Sequence, residues 1–332
     1  MKTELCKKLG IDFPIIQAPI GSAAGAPLAA AVSDAGGLGT VAVTGFGAEV
    51  AREKIREVRA RTSKPFAINL LMSFPYEEEL EVCLEERVPA VSFFWGDPSP
   101  HVDRFHAAGA TVLLQVGSVE EARRAVDAGV DIIVAQGWEA GGHVRGEVAT
   151  LPLVPTVVDA VAPAPVVAAG GIVDGRGLAA VLALGAAGAW IGTRFLASEE
   201  VSMLPDYRER VLNGTVAETV YTSLFDVKWP DAPHRVLRNS TFVAWEAAGR
   251  PPSGQRPGEG DVLATDAYGN TVVRYQSTTA RSDHEGDIEA FPLWAGQGVS
   301  LVKRVQPARE IVCEIAEDAR RTLERLAESF ST

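Results

Sequence analysis

Along its first two hundred residues the chain repeats one rhythm. A short apolar, β-branched run is followed by a turn of small residues, then by a segment with apolar positions three and four apart. The runs predict strands at Pro14–Ala18, Gly37–Ala42, Pro65–Leu70, Ala90–Phe94, Thr111–Val116, Asp131–Ala135, Pro165–Ala169 and Gly188–Ile191. The segments between them predict helices at Ala26–Ala35, Ala48–Arg61, Tyr76–Glu86, Pro100–Ala108, Val119–Ala128, Leu153–Val161 and Gly177–Leu184. Several close on a glycine, as in Ala35-Gly36, Ala108-Gly109, Ala128-Gly129 and Leu184-Gly185, the usual stop signal of a helix. Strands that read as unbroken apolar runs and alternate with helices belong to parallel sheets buried on both faces.

Eight such units are the number that closes a (β/α)8 barrel. The competing architecture, a doubly wound open sheet, places a glycine-rich dinucleotide fingerprint after its first strand. Here the first strand ends in Gln17-Ala18-Pro19-Ile20-Gly21, and neither GxGxxG nor GxxxxGK[ST] occurs. The expected fold is therefore an α/β TIM barrel over residues 1–200. After Phe195 the rhythm stops. Residues 201–295 carry clusters such as Arg250-Pro251-Pro252-Ser253-Gly254, which predict a smaller, irregular, mostly helical lid. Residues 296–332 return to regularity. Pro307 to Phe330 predicts an amphipathic helix with Ile311, Ile315, Ala319, Leu323 and Leu326 on one face, packed on the barrel wall.

Composition narrows the function. The 332 residues are 47% hydrophobic and 22% charged, as in a soluble globular enzyme. Aromatics are only 7% while Gly reaches 32 residues, which suits tight β–α turns and not an aromatic recognition surface. The net charge of −12 argues against a broad nucleic-acid-binding face. An anionic ligand must then be held locally, by backbone N–H groups. Cys6, Cys83 and Cys313 are odd in number and far apart, so neither a disulfide framework nor a metal site is expected, and a reducing cytoplasm is. The first ten residues have no apolar signal core, and the most apolar stretch, Pro163 to Leu196, is broken by Gly170, Gly171, Asp174, Gly175, Arg176 and Gly177. No membrane span is expected.

In a barrel of this kind chemistry gathers where strands end. The sixth strand runs into Gln136-Gly137-Trp138-Glu139-Ala140-Gly141-Gly142-His143. The glycines admit a ligand close to backbone, and His143 follows them into the same space as a candidate general base or proton donor. The alternative for His143 is a residue that only caps its loop. His101, His106, His234 and His284 lie in polar or helical settings and read as solvated or locally bonded. The seventh strand ends in Ala168-Ala169-Gly170-Gly171-Ile172, and the eighth in Ile191-Gly192-Thr193-Arg194-Phe195. Glycine-rich turns after strands seven and eight, with a helix N-terminus behind them, are the expected anion site, and Thr193 adds a hydroxyl. Ala18, Pro19 and Ile20 offer a flat apolar wall. Asn69 and Gln115 end the third and fifth strands and offer the donor and acceptor pairs that a heterocyclic ring requires. Phe93-Phe94-Trp95-Gly96-Asp97 is either an aromatic pocket wall or ordinary barrel packing.

Together, Gln17-Ala18-Pro19, Ala35-Gly36-Gly37-Leu38-Gly39, Pro65-Phe66-Ala67-Ile68-Asn69, Glu139-Ala140-Gly141-Gly142-His143, Ala169-Gly170-Gly171-Ile172 and Gly192-Thr193-Arg194-Phe195 resemble the nitronate monooxygenase family. The resemblance covers the barrel and echoes weakly to Trp294-Ala295-Gly296-Gln297-Gly298. It implies non-covalent FMN, with the phosphate at Gly170-Gly171 and Gly192-Thr193. It implies the ring near Ala18, Pro19 and Ile20, with Asn69, Gln115 and Gln136 around the ring and ribityl chain, and Gly141, Gly142 and Ala169 among the cofactor-binding residues. It implies His143 as catalytic base or substrate-orienting residue, with a nitronate and O2 giving a carbonyl compound and nitrite. The same motifs are similar to FMN-dependent enoyl-acyl-carrier-protein reductases and NADH:quinone reductases, so NAD(P)H reduction of a quinone or enoyl thioester is the alternative. A third, non-redox alternative is a barrel binding a phosphate ligand. Ile20 and Trp95 depart from the common family pattern, which leaves substrate identity open. A homodimer is left open as well.

Overall fold

The computed structural model describes residues 2–266 and 269–330. Eight parallel strands form the barrel: β1 (Ile15–Gln17), β2 (Gly39–Ala42), β3 (Phe66–Leu71), β4 (Ala90–Phe94), β5 (Thr111–Val116), β6 (Ile132–Gln136), β8 (Val166–Ala169) and β9 (Gly188–Ile191). A two-residue strand, β7 (Gly142–His143), lies outside it. Each barrel strand pairs with the next in register, and β9 pairs with β1. The last seam, between β1 and β2, closes through the Ile16–Leu38 bridge. There the Gln17 N–H donates to the Leu38 carbonyl at 2.9 Å and the Leu38 N–H to the Ile15 carbonyl at 2.9 Å. Helices α2 (Ala26–Asp34), α3 (Ala48–Arg61), α4 (Glu77–Glu85), α5 (Val102–Ala107), α6 (Val119–Asp127), α7 (Thr150–Val161) and α8 (Gly175–Ala183) alternate with the strands.

Three local features differ from the sequence reading. A helix that it did not anticipate, α1 (Glu4–Leu9), plugs the end of the barrel where the strands start. Leu5, Cys6 and Leu9 are buried there with Ile16, Ala67, Leu113, Ile132 and Val167. Helix α7 begins at Thr150, three residues before the expected Leu153. Pro152 sits in its first turn, where no backbone N–H is needed. Helix α8 begins at Gly175 because Asp174 caps it, accepting from the N–H groups of Arg176 and Gly177.

The segment over the barrel is mixed and not mostly helical. It holds α9 (Pro205–Asn213) and α10 (Ser240–Ala247), but also β10 (Thr219–Thr222), β11 (His234–Leu237), β12 (Val262–Thr265), β13 (Thr271–Val273), β14 (Glu285–Gly286) and β15 (Leu293–Trp294). Proline and glycine clusters cut the chain into pieces too short for helices, and short β-branched runs pair instead. Strand β11 is central. It pairs antiparallel with β10, β15 and β7, with His234 opposite His143 and Arg235 opposite Gly142. The loop after β6 is thus stitched into the lid sheet. One hydrophobic cluster continues from Leu178 and Ile191 of the barrel to Tyr207, Leu237 and Phe291 of the lid. The final helix, α11 (Ala308–Ser329), packs on α8 and α2 through Ile311, Ile315 and Ala319. The approach to α8 requires glycine at 175, where a Cβ would lie 2.3 Å from the Ala319 nitrogen. The apolar stripe leaves the wall before its end, since Leu326 is 46% exposed.

Candidate active site

One cavity of about 440 Å³ opens at the strand C-terminal ends, a size suited to a small molecule or cofactor. All fourteen predicted site residues line it: His143, Ala18, Pro19, Ile20, Asn69, Gln115, Gln136, Gly141, Gly142, Ala169, Gly170, Gly171, Gly192 and Thr193. At one end lie the turns after β8 and β9. Gly170 and Gly171 have φ of 104° and 72°, which side-chain-bearing residues rarely adopt. Among the described residues, the N–H groups of Gly170, Gly171 and Gly192 have no acceptor. Buried or cavity-facing amides are normally paired, so these three mark a place for an external acceptor. Thr193 Oγ1 accepts from the Gly296 N–H at 3.0 Å, which leaves its own hydrogen to donate. The expected helix N-terminus does not contribute, because the Asp174 carboxylate already occupies the start of α8.

Around the middle of the cavity the amides are not equivalent. The Asn69 amide donates to Ser92 Oγ at 2.9 Å, which points its orientation across β3 and β4 and leaves its carbonyl oxygen. Gln115 makes no side-chain hydrogen bond among the described residues. Gln136 donates to the His143 carbonyl at 2.9 Å and accepts from the Arg145 N–H at 3.3 Å. Its first use is therefore to shape the loop that carries His143.

That loop is held on three sides. The Glu139 carboxylate accepts from the Thr150 N–H at 2.9 Å and from its hydroxyl at 3.0 Å, which caps α7. The Glu139 carbonyl accepts from the Gln297 N–H at 2.9 Å. Gly141 passes so close to Gly296 that a Cβ would lie 2.3 Å from its nitrogen. His143 then meets the lid. Its ring stacks on Trp229 with centroids 3.8 Å apart, and Trp294, His234 and Trp95 stand 5.2, 5.4 and 5.9 Å away. His143 Nε2 pairs with Ser277 Oγ at 3.2 Å, and no protein group pairs with Nδ1 among the described residues. Burial, with His234 adding to it, holds the His143 imidazole well below its ordinary value, so the ring is neutral at pH 7.

Of the two expectations for His234, solvated or locally bonded, the structure shows the second. His234 is fully buried, its Nδ1–H donates to the Ala232 carbonyl at 2.9 Å, and its Nε2 accepts from the Phe225 N–H at 3.4 Å. A carbonyl only accepts and an amide N–H only donates, so the tautomer is fixed and neutral. Burial lowers its pKa to about 4. His284 is also buried, accepting from the Arg281 N–H. His101 bonds the Tyr76 hydroxyl, and His106 pairs with Asp131 at the surface. Phe94 lines the cavity while Phe93 packs in the barrel core, so the fourth strand end is both wall and packing. Trp95 stands behind, with φ of 64°. A bulky residue there costs about 1–3 kcal/mol, sustained here by contacts with Phe94, Trp229 and His143.

Sequence reasoning missed the lining residues Phe46, Phe74, Trp229, Ser277, Thr279 and Arg281. The available signal was tryptophan in a chain poor in aromatics. The family model described as nitronate monooxygenase matches residues 2–80 and 71–318. The chain belongs to the nitronate monooxygenase family. It is accordingly an enzyme of the oxidoreductase class. It is 36% identical to a nitronate monooxygenase of Pseudomonas aeruginosa over 96% of this chain and 100% of that protein. It is 38% identical to an octahydro-indene-carboxyl-CoA dehydrogenase of Mycobacterium tuberculosis over 75% of this chain and 70% of that one. The structure of FabK from Thermotoga maritima superposes with a TM-score of 0.86 at 33% identity, covering 99% of both chains. Among the described residues no helix is long and apolar enough to cross a membrane.

Proposed function

We propose that this family member binds FMN and uses it to oxidise alkyl nitronates with O2, yielding a carbonyl compound and nitrite. The observation that carries the reading is the pairing, in one cavity, of three acceptor-free amides with a neutral histidine held by tryptophans. The amides of Gly170, Gly171 and Gly192 and the Thr193 hydroxyl would hold the phosphate. Ala18, Pro19 and Ile20 would lie against the ring, with Ala169, Gly141 and Gly142 close by. The Asn69 carbonyl and the free Gln115 amide offer an acceptor and a mixed donor–acceptor to its polar edge. FMN, when bound, supplies the redox chemistry and the protein supplies position and polarity.

The residues of the chain define the rest. A neutral nitroalkane has an acidic α-carbon proton, and His143 would accept it at Nδ1, the nitrogen without a protein partner. For a preformed nitronate, the same ring would orient the anion and not ionise it. Ser277 at Nε2 and the face of Trp229 fix the plane of the imidazole. Trp294, Phe94 and Phe74 present apolar surface that excludes water from the reacting end. A second reading, in which NAD(P)H is the reductant and a quinone or enoyl thioester the acceptor, is kept because a relative is named for redox action on a carboxyl-CoA, a thioester.

The test is an anaerobic spectral titration of the purified protein. Bleaching of the flavin bands by ethyl nitronate, and not by NADH, is the expected result. Bleaching by NADH alone would replace the first reading with the second.

A further inference from the structure

The cavity wall is built partly from strand ends and partly from the loops that follow them. Phe46 lines the cavity from the turn between β2 and α3, and it is half-buried beside an exposed Gly45. Gly45 and Gly47 flank it at φ of 83° and 78°, and a Cβ at either would meet nothing within 4 Å. The turn is therefore conformationally permissive and free-standing. Its own backbone closes it only through the Phe46 N–H, which donates to the Val43 carbonyl at 3.4 Å, and one side chain holds both glycines. Oε1 of Glu79, a carboxylate only 4% exposed in the first turn of α4, accepts from the Gly45 N–H at 2.9 Å and the Gly47 N–H at 3.0 Å. Charge-assisted bonds of this kind are stronger than neutral ones, and a carboxylate at a helix start is favoured by the helix dipole. On the ring itself, the Lys54 ammonium sits 3.5 Å from the centroid while its Nζ reaches the Ala42 carbonyl at 3.4 Å. The aromatic ring is thus faced by a cation, and the glycines on either side of it are held by a buried carboxylate.

We propose that Phe46 is the specificity-determining residue of the cavity mouth, and that Glu79 is the positioning residue that holds it there. The assignment rests on reading the cavity as the substrate site. The ring closes the β2 side between solvent and cavity, so it sets how long an apolar chain the substrate can carry past His143. Neighbouring lining residues Leu71, Phe74 and Trp229 are apolar and compatible with an alkyl chain.

The test reads binding, not turnover. Primary nitroalkanes from nitroethane to nitrooctane are titrated anaerobically into the FMN-loaded enzyme, with tryptophan fluorescence as the signal. In the unaltered protein, affinity rises with each methylene until the chain meets Phe46, then levels off. Phe46→Ala moves the cut-off outward by two or more carbons, with about four-fold tighter binding for each methylene admitted. Phe46→Trp moves it inward. Glu79→Ala releases the turn and shifts the cut-off in the same direction as Phe46→Ala. An unchanged cut-off in both Phe46 variants overturns the assignment while leaving the substrate reading intact. No binding by any member of the series to the unaltered protein, either as the nitroalkane or as the preformed nitronate, overturns the nitronate reading, and this assignment with it.

Discussion

Acid should destabilise this protein well before its carboxylates titrate, and His234 is the reason. Its ring is fully buried between Phe225, Trp294 and His143, with both nitrogens committed to backbone partners that suit only the neutral form. Burial depresses its pKa from 6.5 to about 4. Between those values the unfolded chain binds a proton that the folded chain refuses. Stability from this residue is therefore fully present above pH 6.5 and is lost as the pH falls toward 4. The whole gap corresponds to roughly 3 kcal/mol, and about 2 kcal/mol of it is gone by pH 5. His143 is shifted in the same direction and adds to the loss. The assay is urea unfolding at pH 7.5 and pH 5.0 for the unaltered protein and for His234→Gln. The variant starts less stable at pH 7.5, but its additional loss at pH 5.0 is smaller by about 2 kcal/mol. Equal losses in the two proteins, or a His234 resonance titrating near 6.5 by NMR, would refute the argument.

Three further outcomes follow from the same geometry. His143→Asn keeps the cofactor, because the amides that would hold the phosphate are untouched, but lowers turnover by roughly 10²–10⁴-fold in an oxygen-consumption assay. Gly171→Val weakens cofactor binding at least ten-fold by flavin fluorescence, since φ of 72° strains any side chain and the new carbons would fill the anion's approach. Arg256→Met loosens the lid by about 1–3 kcal/mol in thermal unfolding. The buried guanidinium joins Asp226 at 2.8 Å, Glu259 and the Tyr275 ring at 4.2 Å, and all three lose their common partner.

What could be read in advance follows from how local each signal is. The eight strands were legible because a parallel barrel buries both faces of each strand, so Asp131–Ala135 or Pro165–Ala169 stands out as an unbroken apolar run. The barrel half of the candidate site was legible because glycine-rich strand ends mark backbone left open to a cavity, as at Gly170, Gly171 and Gly192, which line it. The lid half was not. His234 and Arg235 follow Asp231 and Pro233 and look like a surface turn. They are buried because β11 happens to run between β10, β15 and β7, a pairing of strands far apart in sequence. No local pattern encodes such a contact. The same holds for α1, whose short length hides the fact that Leu5 and Leu9 fill the floor of the barrel.

The scarcity of aromatics takes on a different meaning in this light. Low aromatic content argued against an aromatic recognition surface, and for the exterior that argument stands on the same footing as before. Yet of the six tryptophans, Trp190, Trp229 and Trp294 line the cavity and Trp95 braces His143 from behind. Large rings are concentrated where a single imidazole must be kept neutral and oriented. Stacking on Trp229 and edge contacts with Trp95 are each worth about 0.5–1.5 kcal/mol beyond burial. Together they are comparable to the backbone strain at Trp95, so the strained residue and the histidine it touches stabilise one another. Replacing Trp95 by glycine would therefore relieve the strain and release the imidazole at once, which ties the local backbone conformation directly to the chemistry proposed for His143.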